Sequence, residues 1–381
     1  MSSQPHPSQL TGRGPLESIV VLSLAEQLPG PYATLILADL GAEVLQIERP
    51  GSGDPARAFP DYYAAIARNK KSICLDLKTE ADRQSFYQLV ERADVVMEGF
   101  SPGTTARLGV DYKRLQAINS RLIYVSISGF GQTGPHRARP AHDLSFQAIA
   151  GALASMAPGE EAPDLPLGDM TAATFAALAV TTALAARASS GHGSFVDVAM
   201  ADCLTSWMTP LMVPRLNGGR PIDVTASPGY GVFACQDGLR IALSIAHEDH
   251  FWSRLCRLLN LPYMDQYSHA QRLQHRAEFR QTIARALQQQ PRAHWTTQLD
   301  QAGVPWSPVY TLEEVPLDAQ LDSRGLFETV ASGDGSTQVH IRQPLKFSGY
   351  GQAPLSPAPA LGEHQALLDG LAVAKFAAPP Q

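Results

Sequence analysis

Cysteine is scarce in this sequence. The four cysteines among its 381 residues lie far apart, and no pair has the spacing of metal ligands. A chain of this length can build a hydrophobic core without disulfide bonds. These features argue against a disulfide scaffold and a cysteine-based metal centre, so we expect reduced thiols in a cytoplasmic protein and no bound metal. The four residues are Cys74, Cys203, Cys235 and Cys256.

Long hydrophobic runs and basic stripes are also missing. No apolar run reaches 18 residues, and the richest stretch, residues 172–186, has the length of a buried helix. Residues 1–15 are polar and rich in Ser and Pro, which predicts a disordered tail rather than a signal peptide. The formal net charge is −6, and no basic stripe carries interleaved aromatic residues. We therefore expect neither a membrane nor a nucleic acid as partner.

Two phosphate-binding fingerprints are absent. A G-x-G-x-x-G turn would follow the first predicted strand, but residues 25–31 (AEQLPGP) contain one glycine. Residues 129–135 (GFGQTGP) are rich in glycine but lack the Lys-Ser/Thr ending of a Walker loop. That loop fits a plain turn after a strand, or backbone that closely approaches a ligand. The sequence therefore argues against the usual nicotinamide-dinucleotide and P-loop enzymes.

Strand and helix signals alternate through the first third of the chain. Such alternation is typical of a parallel sheet covered by helices, and right-handed crossovers would make the sheet Rossmann-like. A Gly- and Pro-rich linker at residues 217–230 precedes a predicted hairpin at residues 231–245 and further helices. The predicted fold class is α/β, with a Rossmann-like large domain and a smaller α+β domain. The predicted early strands are residues 18–24, 42–48, 72–77, 94–98 and 121–128.

Three side chains are candidates for a catalytic role. Asp169 follows Gly168 at the start of a long apolar helix, where backbone N–H groups and the helix dipole favour an anion. His142 lies in a loop, and Glu248 lies between an apolar strand and a helix. Each also has a structural interpretation, which is helix capping for the two acids and surface hydrogen bonding for the histidine.

Many short motifs occur in the order typical of one enzyme family. The most specific is residues 128–135 (SGFGQTGP), and others are residues 37–44 (LADLGAEV), residues 47–54 (IERPGSGD), Gly168-Asp169 and residues 361–364 (LGEH). The sequence resembles the family III coenzyme A transferases, the group that includes formyl-CoA transferase and α-methylacyl-CoA racemase. The resemblance runs from Leu16 to about Leu371.

The resemblance implies an interlocked homodimer, in which each chain threads through a hole in its partner. It implies a large CoA-binding α/β domain of residues 16–216 and 331–381, with the linker and the small α+β domain at residues 217–330. Coenzyme A would enter as part of an acyl-CoA substrate, without a separate cofactor. Cationic side chains suit its phosphate oxygens, and apolar surface suits its adenine. The implied contacts are Arg49, Lys71, Phe100 and Arg107.

The family splits into two mechanisms that both use the residue matching Asp169. In the transferases that aspartate is a nucleophile, which attacks the thioester and forms an acyl-aspartyl anhydride. In the racemases it is one of two groups that exchange the proton on the carbon next to the thioester carbonyl. His142 would be the second group in a racemase, held by Glu248.

Local features of the sequence favour different branches of the family. The His142-Asp143 pair and Glu248 match the racemase pattern, whereas Met170 stands where racemases carry a glycine run. From the sequence we favour α-proton exchange on a 2-methylacyl-CoA, with CoA transfer through Asp169 as the alternative. A non-catalytic CoA-binding protein on the same fold is a third interpretation.

Overall fold

In the computed structural model, the described residues are 14–156, 163–331 and 335–369. The chain divides into two compact units, one formed by Met1–Thr209 with Gly325–Gln381 and the other by Pro210–Arg324. The domain ranges derived from the sequence stay a prediction. Most of the predicted tail at residues 1–15 lies outside the described residues.

The first unit is built on a parallel sheet. Its strands are β1 (Val20–Ser23), β2 (Glu43–Glu48), β3 (Lys70–Cys74), β4 (Val95–Glu98), β5 (Ile123–Ser128) and β6 (Phe195–Ala199). The strands are short and mostly buried, as expected for a parallel sheet with helices on both faces. Their order is β3-β2-β1-β4-β5-β6, and every neighbouring pair is parallel. This order confirms the predicted Rossmann-like α/β fold.

Helices cover both faces of this sheet. In chain order they are α1 (Pro29–Asp39), α2 (Pro60–Ala67), α3 (Glu80–Val90), α4 (Thr104–Leu108), α5 (Tyr112–Ile118), α6 (Asp143–Ile149), α7 (Ala152–Met156), α8 (Leu167–Ser190) and α9 (Met200–Trp207). The next helix, α10 (Thr209–Leu216), begins at the last residue of this unit and belongs otherwise to the second unit. Apolar residues of α1 and α8 form the core on one face of the sheet. Apolar residues of α3 and α5 form the core on the other face.

Helix α8 crosses the sheet from its carboxyl edge to its amino edge. Its last turn carries Arg187, whose Nη2 pairs with Asp94 Oδ1 at 2.6 Å just before β4 begins. The first turn of α8 therefore lies at the carboxyl edge, as in any helix that connects two parallel strands. Within the described chain, α8 is long and apolar enough to cross a membrane by length and composition, and its sheet-facing side is buried in the core.

The C-terminal part of the chain belongs to the first unit. There β10 (Phe327–Ala331) and β11 (Thr337–Ile341) form an antiparallel pair. Arg68 Nη2 donates to the Ile341 carbonyl at 2.7 Å, and the His364 N–H donates to the Ser72 carbonyl at 2.9 Å. These bonds hold the segment beside β3. The predicted last helix at residues 363–374 lies mostly outside the described residues.

The second unit is an α+β arrangement around an antiparallel sheet. Its elements are β7 (Tyr230–Ala234), β8 (Arg240–Ser244), α11 (Asp249–Leu258), α12 (Pro262–Asp265), α13 (His269–Gln274), α14 (Arg276–Leu287), α15 (Arg292–Ala302), β9 (Trp306–Val309) and α16 (Ala319–Ser323). The strand order is β7-β8-β9. The predicted hairpin is the β7–β8 pair, whose turn contains Gly238 with a φ of 76°. Trp252 and Phe279 are among the side chains that fill the core. The predicted smaller α+β component is confirmed.

Candidate active site

The carboxyl ends of the parallel strands bring several loops to one edge of the sheet. Strands β1 and β4 are neighbours, and the chain leaves them toward opposite sides of the sheet. Such a switch point opens a crevice at the carboxyl edge, where open α/β sheets bind their ligands. Most of the candidate residues lie at this edge.

Asp169 is half-buried in the first turn of α8. The N-cap of this helix is Pro166, which has no side-chain acceptor, so Asp169 is not the cap of its own helix. Its backbone N–H donates instead to Asp143 Oδ1 at 3.0 Å. A carboxylate on α6 therefore satisfies a donor that the start of α8 would otherwise leave unpaired.

A hydrogen-bonded pair on α6 holds this turn in place. Gln147 Nε2 donates to Asp143 Oδ2 at 2.5 Å and to the Leu165 carbonyl at 2.9 Å. Gln147 is 1% exposed, so water does not compete for these bonds. A Cβ on Gly168 would lie 3.0 Å from Asp143 Oδ1, tighter than an ordinary contact. The Gly168-Asp169 pair therefore has a packing reason, which is the close approach of the two helices.

The pKa of Asp169 is raised to about 7, first by burial and second by the negative charge of Asp143. Tyr62 on α2 is coupled to the same group, because its own pKa is raised by burial and then by the charge of Asp169. Reasoning from the sequence missed Tyr62, since its nearness to Asp169 depends on helix packing and no motif marks it. A carboxyl group that titrates near neutrality at a crevice is typical of a functional site.

His142 is exposed at the N-cap of α6, next to Asp143. Its backbone carbonyl accepts the Ser145 N–H at 2.8 Å, and its imidazole forms no hydrogen bond with the described residues. The structure thus places His142 at the same end of α6 as Asp143, the carboxylate that contacts the backbone of Asp169. Its role in proton transfer stays a prediction.

Glu248 belongs to the second unit, at the N-cap of α11. Its side chain does not cap the helix, because Oε2 accepts the Ala246 N–H at 3.0 Å. Bonds from its own N–H and that of Ala246 lower its pKa. Arg272 Nη2 holds the same turn through the His247 carbonyl at 3.2 Å. These contacts give Glu248 a local structural role, and the predicted pairing with His142 stays a prediction.

Three of the four predicted coenzyme contacts lie at the carboxyl edge. Arg49 directly follows β2 and pairs at 3.1 Å with Glu26, which lies in the loop after β1. Phe100 follows β4, and Arg107 is exposed on α4, where its Nη2 donates to Thr104 Oγ1 at 2.8 Å. Guanidinium groups in such positions suit phosphate oxygens. Contact of these residues with coenzyme A stays a prediction.

Lys71 does not lie at this edge. It is the second residue of β3, and its ammonium pairs with Glu43, the first residue of β2, at the amino edge. There it lines a cavity of about 660 Å³ with Asn69 and His364. A contact with the same coenzyme is therefore not supported for Lys71, because strand direction separates it from the other three residues. Lys78, exposed just after β3, lies toward the carboxyl edge.

The chain is similar to known proteins over nearly its whole length. The profile of CoA-transferase family III matches residues 16–365. An acetyl-CoA:oxalate CoA-transferase from Acetobacter aceti is 34% identical over 96% of this chain and 97% of its own. A succinate–glutarate CoA-transferase from Agrobacterium fabrum is 32% identical over 92% of this chain and 94% of its own. The crystal structure of a CAIB/BAIF family protein from Brucella suis matches with a TM-score of 0.83 and 29% identity, covering 94% of this chain and 99% of that one.

The named activities of these relatives bear on the functions that the sequence left open. Both curated relatives are CoA-transferases, which favours CoA transfer, the alternative, over the racemase expected from the sequence. The matched residues include the motifs at the carboxyl edge and extend through the second unit. The chain therefore belongs to CoA-transferase family III and is an enzyme of the CoA-transferase type.

Proposed function

We propose that this enzyme moves coenzyme A from an acyl-CoA thioester to a carboxylic acid, with Asp169 as the nucleophile. The observation that carries the proposal is the position of Asp169. It lies in the first turn of α8 at the carboxyl edge, where the Asp143 carboxylate accepts its backbone N–H at 3.0 Å. Arg49 and Arg107, which suit the phosphates of coenzyme A, belong to the same edge.

The proposed reaction proceeds in two balanced halves. A carboxylate oxygen of Asp169 attacks the thioester carbonyl, the C–S bond breaks, and coenzyme A leaves as the thiolate from an acyl-aspartyl anhydride. The thiolate then attacks the aspartyl carbonyl, which releases the first acid as a carboxylate and leaves a thioester on Asp169. The incoming carboxylate then attacks the aspartyl thioester, which forms a new anhydride and frees the thiolate. Attack of the thiolate on the new acyl group gives the product thioester and restores the Asp169 carboxylate. No proton is gained or lost overall, and coenzyme A takes part only as a portion of the substrate.

The protonation state of Asp169 sets the pH dependence of this reaction. Only the ionised carboxylate is nucleophilic, and burial with the Asp143 charge raises the pKa of Asp169 to about 7 in the free chain. Below this value the protonated form predominates. We therefore expect kcat/KM to fall as the pH drops below about 7, which is higher than for an ordinary aspartate.

Racemisation at the α-carbon is the second candidate. A carboxyl group with a pKa near 7 suits proton exchange as well as nucleophilic attack, and His142 stands next to Asp143 at the start of α6. The contacts of Glu248 give no support to its predicted role of holding His142. The activities of the relatives also favour transfer.

Trapping the covalent intermediate tests the proposal directly. Hydroxylamine added with an acyl-CoA should convert Asp169 to a hydroxamate, which peptide mass spectrometry detects. Asp169→Ala should lower kcat by roughly 10³-fold or more, as loss of a nucleophile does, while coenzyme A still binds. Asp164→Asn, a change at a nearby exposed aspartate, is the matched control. Retained turnover in Asp169→Ala would refute the assignment.

Isotope exchange separates the two candidates. A chiral 2-methylacyl-CoA in deuterated water, with no acceptor acid, should acquire no label at the α-carbon. Exchange of coenzyme A should instead require an acceptor acid. Deuterium uptake without an acceptor would favour the racemase. If the enzyme showed neither activity, both candidate functions would be excluded.

We further propose that the enzyme works as an interlocked homodimer in the cytoplasm. The family supports the first part, since its members are expected to thread one chain through the other. The four cysteines are free thiols, which is typical of a reducing compartment.

A further inference from the structure

A row of polar side chains crosses three neighbouring strands below the carboxyl edge. Glu98 on β4 is paired in register with Ser126 on β5, and Ser126 is paired with Asp197 on β6. Paired residues on parallel strands point to the same face of the sheet, so the three groups lie side by side. Glu98 and Ser126 are 3% and 1% exposed, whereas Asp197 forms the exposed end of the row. A carboxyl group buried this deeply is costly unless hydrogen bonds satisfy it.

Hydrogen bonds run along the row toward Glu98. Gln132 Nε2 donates to Ser126 Oγ at 2.9 Å, and Ser126, beside Glu98 on the neighbouring strand, favours the ionised form of the Glu98 carboxyl group and so opposes the rise of its pKa. The backbone N–H of Phe100, two residues further along the chain, also donates to this carboxyl group, at Glu98 Oε2 over 2.8 Å. The Gln132 backbone N–H donates to Asp197 Oδ2 at 2.9 Å. Every one of these bonds has a side chain of the row as its acceptor.

The row connects two loops of the candidate active site. Phe100 belongs to the loop after β4, which leads into α4 and Arg107. Gln132 belongs to the glycine-rich loop at residues 129–135, from which the chain continues to α6 and Asp143. One loop carries predicted coenzyme contacts, and the other leads to the carboxylate that holds Asp169.

We propose that Glu98 is a positioning residue for the coenzyme site. Its carboxyl group fixes the backbone of Phe100 and, through Ser126 and Gln132, holds the loop after β4 against the glycine-rich loop. The inference rests on the proposed function, in which Phe100 and Arg107 contact coenzyme A. It assigns to Glu98 no contact with the substrate.

Electrostatics make this link sensitive to pH. Burial raises the pKa of Glu98 to about 7, the charge of Asp197 adds to this effect, and the bonds from Ser126 and Phe100 oppose it. Tyr124 on β5 also faces the group, since the charge of Glu98 helps to raise the pKa of Tyr124. A protonated Glu98 loses the charge-assisted character of the bond from Phe100. The link is therefore strong above pH 7 and weaker below it.

Two substitutions test the link in the full-length protein. Glu98→Ala leaves the Phe100 N–H without its acceptor, so the Kd for free coenzyme A, measured by calorimetry at pH 8, should rise about tenfold. The KM for the thioester should rise with it, whereas kcat should fall by less than about threefold, because positioning of the coenzyme affects binding before chemistry. Glu91→Gln, at an exposed glutamate after α3, should change neither value.

The conservative variant isolates the charge. Glu98→Gln keeps an acceptor for Phe100 but cannot ionise, so its Kd should match that of the wild type at pH 6 and exceed it about threefold at pH 8. Coenzyme A titrates equally against both proteins, so the ratio of the two Kd values reports on Glu98 alone. A ratio that does not change with pH would overturn the role of the charge. The Glu98→Gln measurements also test the proposal if Glu98→Ala fails to fold.

Amide hydrogen exchange tests the role of Glu98 independently of the proposed function. Without coenzyme, hydrogen–deuterium exchange at the Phe100 amide should be faster in Glu98→Ala than in the wild type. Unchanged exchange would overturn the link, and faster exchange with an unchanged Kd would overturn its role in positioning the coenzyme. A wild type that binds no coenzyme A would instead defeat the proposed function, while the exchange result would still decide the link.

Discussion

At the scale of single residues, the proposed chemistry depends on a carboxyl group that the fold keeps partly away from water. Desolvation destabilises the charged form of Asp169, and the Asp143 carboxylate adds to this effect. The same Asp143 accepts the Asp169 N–H, so one side chain both fixes the proposed nucleophile and raises its proton affinity. Sequence matching identified Asp169, but it assigned no such role to Asp143.

Asp143→Asn should shift the acid limb of the kcat/KM profile to lower pH. The change removes a negative charge that raises the pKa of Asp169, while an amide oxygen remains to accept the backbone N–H. Burial is the larger cause and stays, so the limb should not reach the range of an exposed aspartate. Asp164→Asn should leave the profile unchanged. An unmoved profile in Asp143→Asn, measured between pH 5 and 9, would contradict this coupling.

Asp169→Asn should raise the midpoint of thermal unfolding, and more at pH 8 than at pH 5. The pKa of Asp169 is about 7 in the folded chain and close to the ordinary 3.8 when unfolded, so folding favours the protonated form. The cost of keeping Asp169 in the fold grows as the pH rises between these values and is constant above them. Asparagine does not ionise and so carries no such cost. An equal rise in the unfolding midpoint at pH 5 and pH 8 would argue against a desolvated carboxylate.

At the scale of elements, the start of α8 is defined by its contact with α6. The missing Cβ of Gly168 leaves room for Asp143 and for Phe146, whose Cβ would lie 3.1 Å from an added methyl group. Gln147, which is buried, links the two helix starts by donating to Asp143 and to the Leu165 carbonyl. The site is therefore built from two helix ends, which is more rigid than a loop would be.

Gly168→Ala should destabilise the protein and lower kcat. Helix propensity alone would favour alanine by up to about 1 kcal/mol, but overpacking costs about 1–3 kcal/mol in a filled core. The contact with Asp143 Oδ1 at 3.0 Å makes the second effect the larger one. Gly349→Ala, where an added Cβ meets nothing within 4 Å, is the matched control for denaturant unfolding and turnover. Equal stability of the two variants would show that the helices can separate freely.

At the scale of the whole molecule, large apolar side chains remain exposed on the single chain. Trp207 is 53% exposed, Leu178 is 55% exposed and Phe195 is 41% exposed in the first unit. Exposed groups of this size are typical of surfaces that a partner covers. They fit the homodimer that the family resemblance implies.

Light scattering coupled to size exclusion should give twice the mass of one chain at every concentration tested. Threaded chains cannot separate without unfolding, so labelled and unlabelled dimers mixed under native conditions should not exchange subunits in native mass spectrometry. Exchange should appear only after denaturation and refolding. A monomer, or rapid exchange of subunits, would contradict an interlocked assembly.

The order of strands and helices could be predicted because its signals are local. Apolar runs of strand length, helix stop signals such as Gly41 and the turn at Asp237-Gly238 all depend on neighbouring residues. The motif match likewise identified Asp169, Arg49, Phe100 and Arg107, which the structure places at one edge of the sheet. Lys71 lies instead at the amino edge beside Glu43, which a motif match cannot reveal, because the motif does not show at which residue the strand begins and ends.

The sequence by itself determined the fold class, the family and the aspartate at the start of a long helix, because each rests on short-range patterns. Only the tertiary structure decided which groups surround that aspartate. Asp143 on α6 accepts its backbone N–H, and Tyr62 on α2 lies within the influence of its charge. The row from Glu98 to Asp197 joins strands that are distant in the chain. The reason is physical: burial, register and the pKa of a carboxyl group depend on what packs around it, and packing brings together residues that no local pattern connects.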